Sequence, residues 1–237
     1  MTLVRTLILI GALTTPLLGA DKLYWADYGK SHIVRANLDG SSEQVIAALQ
    51  TGPSGIAIDR IGGKVYWTNF SGKQLRRADL DGSNQETLLS NLVTPTGVAV
   101  DPLAGKVYFT EQATNAGRIR RANLDGSNVE MLISTGLDSP ADLRLDLVHG
   151  KMYWADSRTV KIQRADLDGS NVEDLVTTAM TFPIGLDCDF LGGKVYWTDW
   201  TGTGFSARTS TAPTRSWSSR VGSAAPPAWS STTTQGR

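Results

Sequence analysis

Tyr66-Trp67-Thr68-Asn69 and the run beyond it, Leu75-Arg76-Arg77-Ala78-Asp79-Leu80-Asp81-Gly82-Ser83, decide how this chain folds. In an extended strand, side chains alternate between the two faces of a sheet. Tyr66 and Thr68 then share one face, and Trp67 and Asn69 the other. Both faces are bulky or hydrogen-bonding, which suits a sheet packed between two neighbours. The second run, Gln74 to Leu80, ends on Asp81-Gly82, a pair favoured in tight hairpins because the turn needs positive φ. Outward from these, Gly55 to Asp59 is a strand joined to the first run across Gly62-Gly63, and Gln85 to Leu89 follows the hairpin. The unit is four short antiparallel strands.

The unit repeats. Tyr-Trp-Thr-Asn at 66–69 recurs as Tyr24-Trp25-Ala26-Asp27, Tyr108-Phe109-Thr110-Glu111, Tyr153-Trp154-Ala155-Asp156 and Tyr196-Trp197-Thr198-Asp199, with tyrosine spacings of 42, 42, 45 and 43. Asp-Gly-Ser recurs at 39–41, 81–83, 125–127 and 168–170. A Pro-x-Gly run begins at Pro53, Pro95 and Pro183 and is degraded to Pro140-Ala141-Asp142. Four antiparallel strands every 42–45 residues are the signature of a β-propeller blade. The fold class is all-β.

These residues resemble the low-density-lipoprotein-receptor class B repeat, the YWTD propeller, over about residues 21–204. The resemblance implies a six-bladed ring that binds proteins and is not itself an enzyme. The cysteine-rich modules that normally flank such propellers are missing. The in-frame repeats supply about four to five blades, so the ring is expected to be incomplete. The first blade is expected to lack its innermost strand, and the strand Lys194 to Trp200 its third and fourth partners.

Composition narrows the chemistry. The 237 residues carry 23 basic and 23 acidic side chains. Four arginines fall in 205–237 and Arg5 in the first 20, which leaves residues 21–204 with 18 basic against 23 acidic residues, a net of −5. No basic excess speaks for nucleic acid or a membrane surface. Cys188 is the only cysteine and His32 and His149 the only histidines, so cysteine-based zinc sites and most histidine chemistry drop out. Asp27, Asp156 and Asp199 track the repeat and read as structural acids that bond backbone N–H groups. The Asp79-to-Asn84 run has leucine at 88 where a calcium loop needs glutamate. Asn69-Phe70-Ser71 is a formal glycosylation sequon whose asparagine is expected to be buried. Cys188 reads as a small core residue. No metal, cofactor or catalytic residue is expected.

One end of the blades is more promising. In a four-stranded meander the loop after each YWTD motif and the link between blades lie together. The first loop residues are Tyr28, Phe70, Gln112, Ser157 and Trp200, with Lys30, Lys73, Arg118 and Arg158 nearby. Aromatic residues on a rigid loop platform are typical protein-binding hot spots. Tyr28, Phe70, Gln112, Arg158 and Trp200 are therefore the candidate binding residues for a protein ligand. The competing reading is that the aromatics only pack on the next blade.

The two ends of the chain differ from its body. Residues 1–20, with Arg5, an apolar run from Leu7 to Leu18 and Leu18-Gly19-Ala20, read as a secretory signal peptide, so the protein is expected to be secreted or extracytoplasmic, without membrane insertion. Residues 205–237 hold 14 Ser or Thr among 33 and read as a disordered or frameshifted tail. Joining the third base of each codon to the first two of the next, from Gly204-Phe205, permits Ile-Gln-Arg-Ala-Asn-Leu-Asp-Gly-Ser-Asn-Glu. This nearly reproduces Ile162 to Asn171. From Ala225-Pro226 the same frame permits Pro-Thr-Gly-Val-Val-Ile-Asp, the pattern of Pro95 to Asp101. The sequence thus points to a secreted, non-enzymatic interaction module on a YWTD-type propeller. The alternatives are a lactonase-type metal-dependent propeller hydrolase and a non-functional truncated fragment.

Overall fold

The computed structural model describes residues 21–200 and the backbone of 5–8 and 205–211. The signal-peptide reading of 1–20 and the tail reading of 205–237 fall mostly on residues 1–4, 9–20 and 212–237, which lie outside the described residues, as do 201–204. The first blade consists of β1 (Arg5–Ile8), β2 (Lys22–Asp27), β3 (His32–Asn37) and β4 (Gln44–Ala47). The second comprises β5 (Pro53–Asp59), β6 (Lys64–Asn69), β7 (Gln74–Asp79) and β8 (Glu86–Leu89). The third is β9 (Pro95–Asp101), β10 (Lys106–Glu111), β11 (Arg118–Asn123) and β12 (Glu130–Ile133). The fourth is β13 (Pro140–Asp146), β14 (Lys151–Asp156), β15 (Lys161–Asp166) and β16 (Glu173–Val176). The last sheet has three strands, β17 (Pro183–Asp189), β18 (Lys194–Trp200) and β19 (Phe205–Thr211). These antiparallel sheets follow one another in series as a partial propeller.

Two expectations are corrected. In the uncleaved chain the first blade has an inner strand, because β1 pairs with β2, Leu7 opposite Trp25. The segment 205–211 is not a free tail, because β19 pairs with the whole length of β18, from Lys194 opposite Thr211 to Trp200 opposite Phe205. The physical reason is shared. An unpaired strand edge offers a row of backbone donors and acceptors to any extended segment nearby. Leu-Ile and Thr-Ser-Thr runs satisfy that demand, and the first proline after β18 comes only at Pro213.

The cores lie between blades rather than within them. Tyr24, Ile33 and Ala47 of the first blade pack with Ile56, Val65 and Trp67 of the second. Tyr66 and Leu75 then meet Val98 and Phe109, Tyr108 and Ile119 meet Leu143 and Trp154, and Tyr153 and Ile162 meet Leu186 and Trp197. The tyrosine face of each motif strand thus covers the tryptophan face of the next, as the two bulky faces require.

Polar contacts tie the same seams. The Thr68 hydroxyl accepts the Gly55 N–H at 2.9 Å and donates to the Thr96 carbonyl of the next inner strand at 2.6 Å. Thr110 does the same with Gly97 and Ala141, at 2.7 and 3.1 Å. Gly55 is required by this approach: a Cβ there would stand 2.1 Å from the Thr96 carbonyl oxygen. The fourth blade has Ala155 and Asp142 instead. Asp142 accepts the Leu143 N–H, the Arg144 guanidinium at 2.7 Å and, across the seam, the Leu186 N–H at 3.0 Å.

At the outer strands, a guanidinium reaches forward from each of the first three blades. Arg35 donates to the Leu80 carbonyl at 2.9 Å, Arg77 to Leu124 at 2.6 Å and Arg121 to Leu167 at 3.2 Å. Each is steadied by its own fourth strand, at Gln44, Glu86 and Glu130.

Candidate functional site

The loops after the motif strands and the links between blades form one hydrogen-bonded rim. In four of the five sheets the residue after the motif donates its N–H to the link before its own inner strand: Phe70 to Gly52 at 2.7 Å, Gln112 to Thr94 at 3.1 Å, Ser157 to Ser139 at 3.0 Å and Trp200 to Phe182 at 3.0 Å. Links also reach the preceding blade, with Gln50 N–H on Ser31 and Leu92 N–H on Lys73. The first three links each bridge two loops by backbone bonds, the third through Ala113 N–H on Asp138 and Ser157 N–H on Ser139, so the rim is a backbone network over these blades.

The motif acids lie beneath this rim and serve it. Asp156 accepts four backbone N–H groups, from Asp138, Ser139, Arg158 and Thr159, at 2.9–3.2 Å. Asp199 accepts Thr181 and Phe182, Asp27 accepts Lys30, and Glu111 accepts Val93 and the Arg120 guanidinium. All four are buried, and for Asp27, Asp156 and Asp199 this agrees with their reading as structural acids. Asn69, in the same position, is 1% exposed and donates to Gln50 at 3.1 Å. The sequon is therefore closed to a glycosyl group in the folded chain.

Two of the candidate aromatics face solvent: Tyr28 is 42% exposed and Trp200 45%. Each also has a packed side. A Cβ at Gly52 would lie 3.1 Å from the Tyr28 ring, and Trp200 meets Phe182 edge-on with ring centroids 6.1 Å apart. Phe70 and Gln112 are half-buried and Arg158 is exposed. Ser157, the first loop residue of the fourth blade, is buried and donates to the Pro183 carbonyl at 2.5 Å. The loop presents Arg158 in its place. Among the described residues, none of Lys30, Lys73, Arg118 and Arg158 has a carboxylate within 4.0 Å. The rim thus offers two part-packed rings and uncompensated cations.

The opposite end has another chemistry. Asp39, Asp81, Asp125 and Asp168 each accept the hydroxyl and N–H of the serine two residues on, which holds these carboxyls below the usual range. Ile61, Leu103, Val148 and Leu191, one on each inner turn, are 70–102% exposed. The sequence reading missed this aliphatic series. It was legible as the third residue of every Asp-x-x-Gly-Gly-like turn.

No three of His, Cys, Asp or Glu converge among the described residues, and the motif acids are engaged by backbone N–H groups. Burial pushes the Cys188 thiol up, so it is a neutral thiol at ordinary pH.

Comparison with known proteins agrees with this architecture. The model of the low-density lipoprotein receptor repeat class B matches residues 63–102 and 150–182. No curated protein sequence matches the chain. A chain of the nidogen/laminin complex superposes with a TM-score of 0.73 at 24% identity, covering 80% of this chain and 71% of that one. A gluconolactonase from Xanthomonas campestris superposes at 0.67 and 17% identity, covering 80% and 68%. TolB from Acinetobacter baumannii gives 0.60 and 16%, covering 76% and 46%. At these identities the structural likenesses speak for the fold alone. Repeat sequence and blade geometry lead to one statement: low-density lipoprotein receptor class B (YWTD) repeats lie at residues 63–102 and 150–182 of a chain folded as propeller blades in series.

Proposed function

We propose that the chain is a secreted, non-enzymatic protein-interaction module whose loop rim takes the protein ligand. One observation carries this reading: Tyr28, on the first motif loop beside the unpaired Lys30, and Trp200, at the end of β18 with its N–H on the Phe182 carbonyl, are both exposed. Rings that are already fixed lose little freedom on binding, and desolvated aromatics supply most of the energy at such surfaces. The likeness to a chain of the nidogen/laminin complex supports a protein as the partner class. The gluconolactonase likeness supports a hydrolase less well, since the acids that would have to hold a metal are already engaged beneath the rim.

The test uses the purified chain as bait for extracellular proteins. Any partner captured is then titrated against the wild type, against Tyr28→Ala with Trp200→Ala, and against Leu103→Asp on the opposite end. Loss of about tenfold or more in affinity for the rim variant alone, with unchanged circular dichroism, is expected from removal of a hot spot. Equal binding by all three, or divalent-metal-dependent lactone hydrolysis by the wild type, would overturn the reading.

A further inference from the structure

We infer that the gene carries a one-nucleotide slip at codon 204, and that the native continuation supplies the third strand of the last sheet with partners which β19 does not give. The first observation is an orphaned donor. The indole N–H of Trp67 donates to Gln50 at 3.0 Å and that of Trp154 to Gln163 at 3.1 Å. Trp197 occupies the same place, is 4% exposed, and its Nε1 has no acceptor among the described residues. In the fourth blade the acceptor stands directly opposite its tryptophan on the third strand, Gln163 opposite Trp154. In the last sheet Arg208 stands opposite Trp197, and an arginine side chain is a donor only.

The second observation is the register. Residues seven apart pair across the motif hairpin in three blades: Ala26 with Ile33, Thr68 with Leu75 and Ala155 with Ile162. In the last sheet Thr198 pairs with Ala207, nine apart, a separation otherwise seen in the third blade, Thr110 with Ile119.

The shifted frame answers both. Codon 204 is GGN for glycine, so one base inserted after its second base leaves Gly204 unchanged and moves its old third base into codon 205. The permitted reading then places isoleucine at position 205, glutamine at 206, arginine at 207, leucine at 210, aspartate at 211 and glycine at 212. Phe205 as TTC followed by Ser206 as AGC yields CAG, glutamine, and then CGC, arginine. Tyr153 and Tyr196 are 43 residues apart. Ile162, Gln163, Arg164, Leu167, Asp168 and Pro183 fall on 205, 206, 207, 210, 211 and 226 when displaced by that one period, and the shifted frame permits the matching residue at every one. The pairing interval at Thr198 returns to seven, and glutamine comes opposite Trp197. The leucine at 210 also extends the forward arginine series, since Arg121 reaches Leu167 and Arg164 lies 43 residues beyond Arg121.

The test inserts one nucleotide into codon 204 of the gene and reads the product by peptide mass spectrometry and by hydrogen exchange beside the unaltered chain. The peptide covering 205–215 is expected to carry the isoleucine-glutamine-arginine-alanine sequence; any other sequence there overturns the inference whether or not the product folds. Amides of 194–200 and the Trp197 indole N–H are expected to exchange at least tenfold more slowly in the restored chain. Changing the new glutamine at position 206 to leucine should return the indole rate and leave the backbone amides slow. Exchange at 194–200 as fast as in the unaltered chain would also overturn it.

Discussion

The second and fourth blades solve one seam with two chemistries. In the second, the Thr68 hydroxyl bridges Gly55 to the next inner strand. In the fourth, Ala155 gives up the hydroxyl, and Asp142, where the second, third and last sheets have glycine, spans the seam with its own carboxylate and Arg144. The lesson is that the repeat conserves a bond across the seam rather than a residue. Threonine with glycine is a neutral clasp, and alanine with aspartate is a charged one. A charged group held from water needs all its partners, so the fourth seam should be the more brittle.

That difference can be broken experimentally. Asp142→Ala should cost about 3–5 kcal/mol, because it leaves the Leu186 N–H unpaired in the seam and the Arg144 guanidinium with only the Leu143 carbonyl and Asp187 at 3.6 Å; urea unfolding measures it. Adding Ala155→Thr to Asp142→Gly should recover only the part of that loss that a neutral clasp restores, since Arg144 still lacks its Asp142 partner. A double variant no better than Asp142→Ala would show that the two clasps are not interchangeable. Thr68→Ala in the second blade should cost less, about 1–3 kcal/mol for an unsatisfied Gly55 N–H. A third comparison concerns the rim loops. Lys73 and Val160 both follow their motif residue by four and both have positive φ, 54° and 55°. Valine is branched and tolerates that region poorly. Val160→Gly should therefore stabilise by up to about 1 kcal/mol, where Lys73→Gly gains less.

The smallest effect is one the two blades share. Asp81 and Asp168 are both held below the usual carboxylate range by their serines. A carboxyl depressed in the folded state contributes stability that is complete above its unfolded value, near 3.9, and is lost as pH falls through the folded value. Melting temperature should thus be flat between pH 5 and 8 on this account and decline below about pH 4. Asp81→Asn and Asp168→Asn should flatten that decline by the same small amount.

The blades were legible in the sequence because each is local. Tyr-Trp-Thr-Asp fixes a strand whose two faces must both be covered, and Asp-Gly closes the next hairpin within fifteen residues. Asp142 looked like decay of the Pro-x-Gly run. Its meaning lies in Ala155, thirteen residues away, and in Leu186 on another blade, so no local reading could recover it. The strands β1 and β19 were missed for a similar reason. Neither carries blade periodicity, and what orders them is the vacant edge of a neighbour. The rim was half legible. The chain order places Tyr28, Phe70, Gln112, Arg158 and Trp200 on one end, but whether a ring is open or covered depends on the link packed beside it, as Gly52 beside Tyr28 and Phe182 beside Trp200 illustrate.

The forward-reaching arginines give the molecule a direction in time. Arg35, Arg77 and Arg121 each find their carbonyl about 46 residues later in the chain. On a ribosome, each of the first three blades therefore emerges holding out a charged group whose acceptor has yet to be translated. A newly made blade cannot complete its outer seam until its successor arrives, and each arrival locks the one before. Assembly would proceed as a ratchet from the amino end, with the vulnerable surface always at the newest blade.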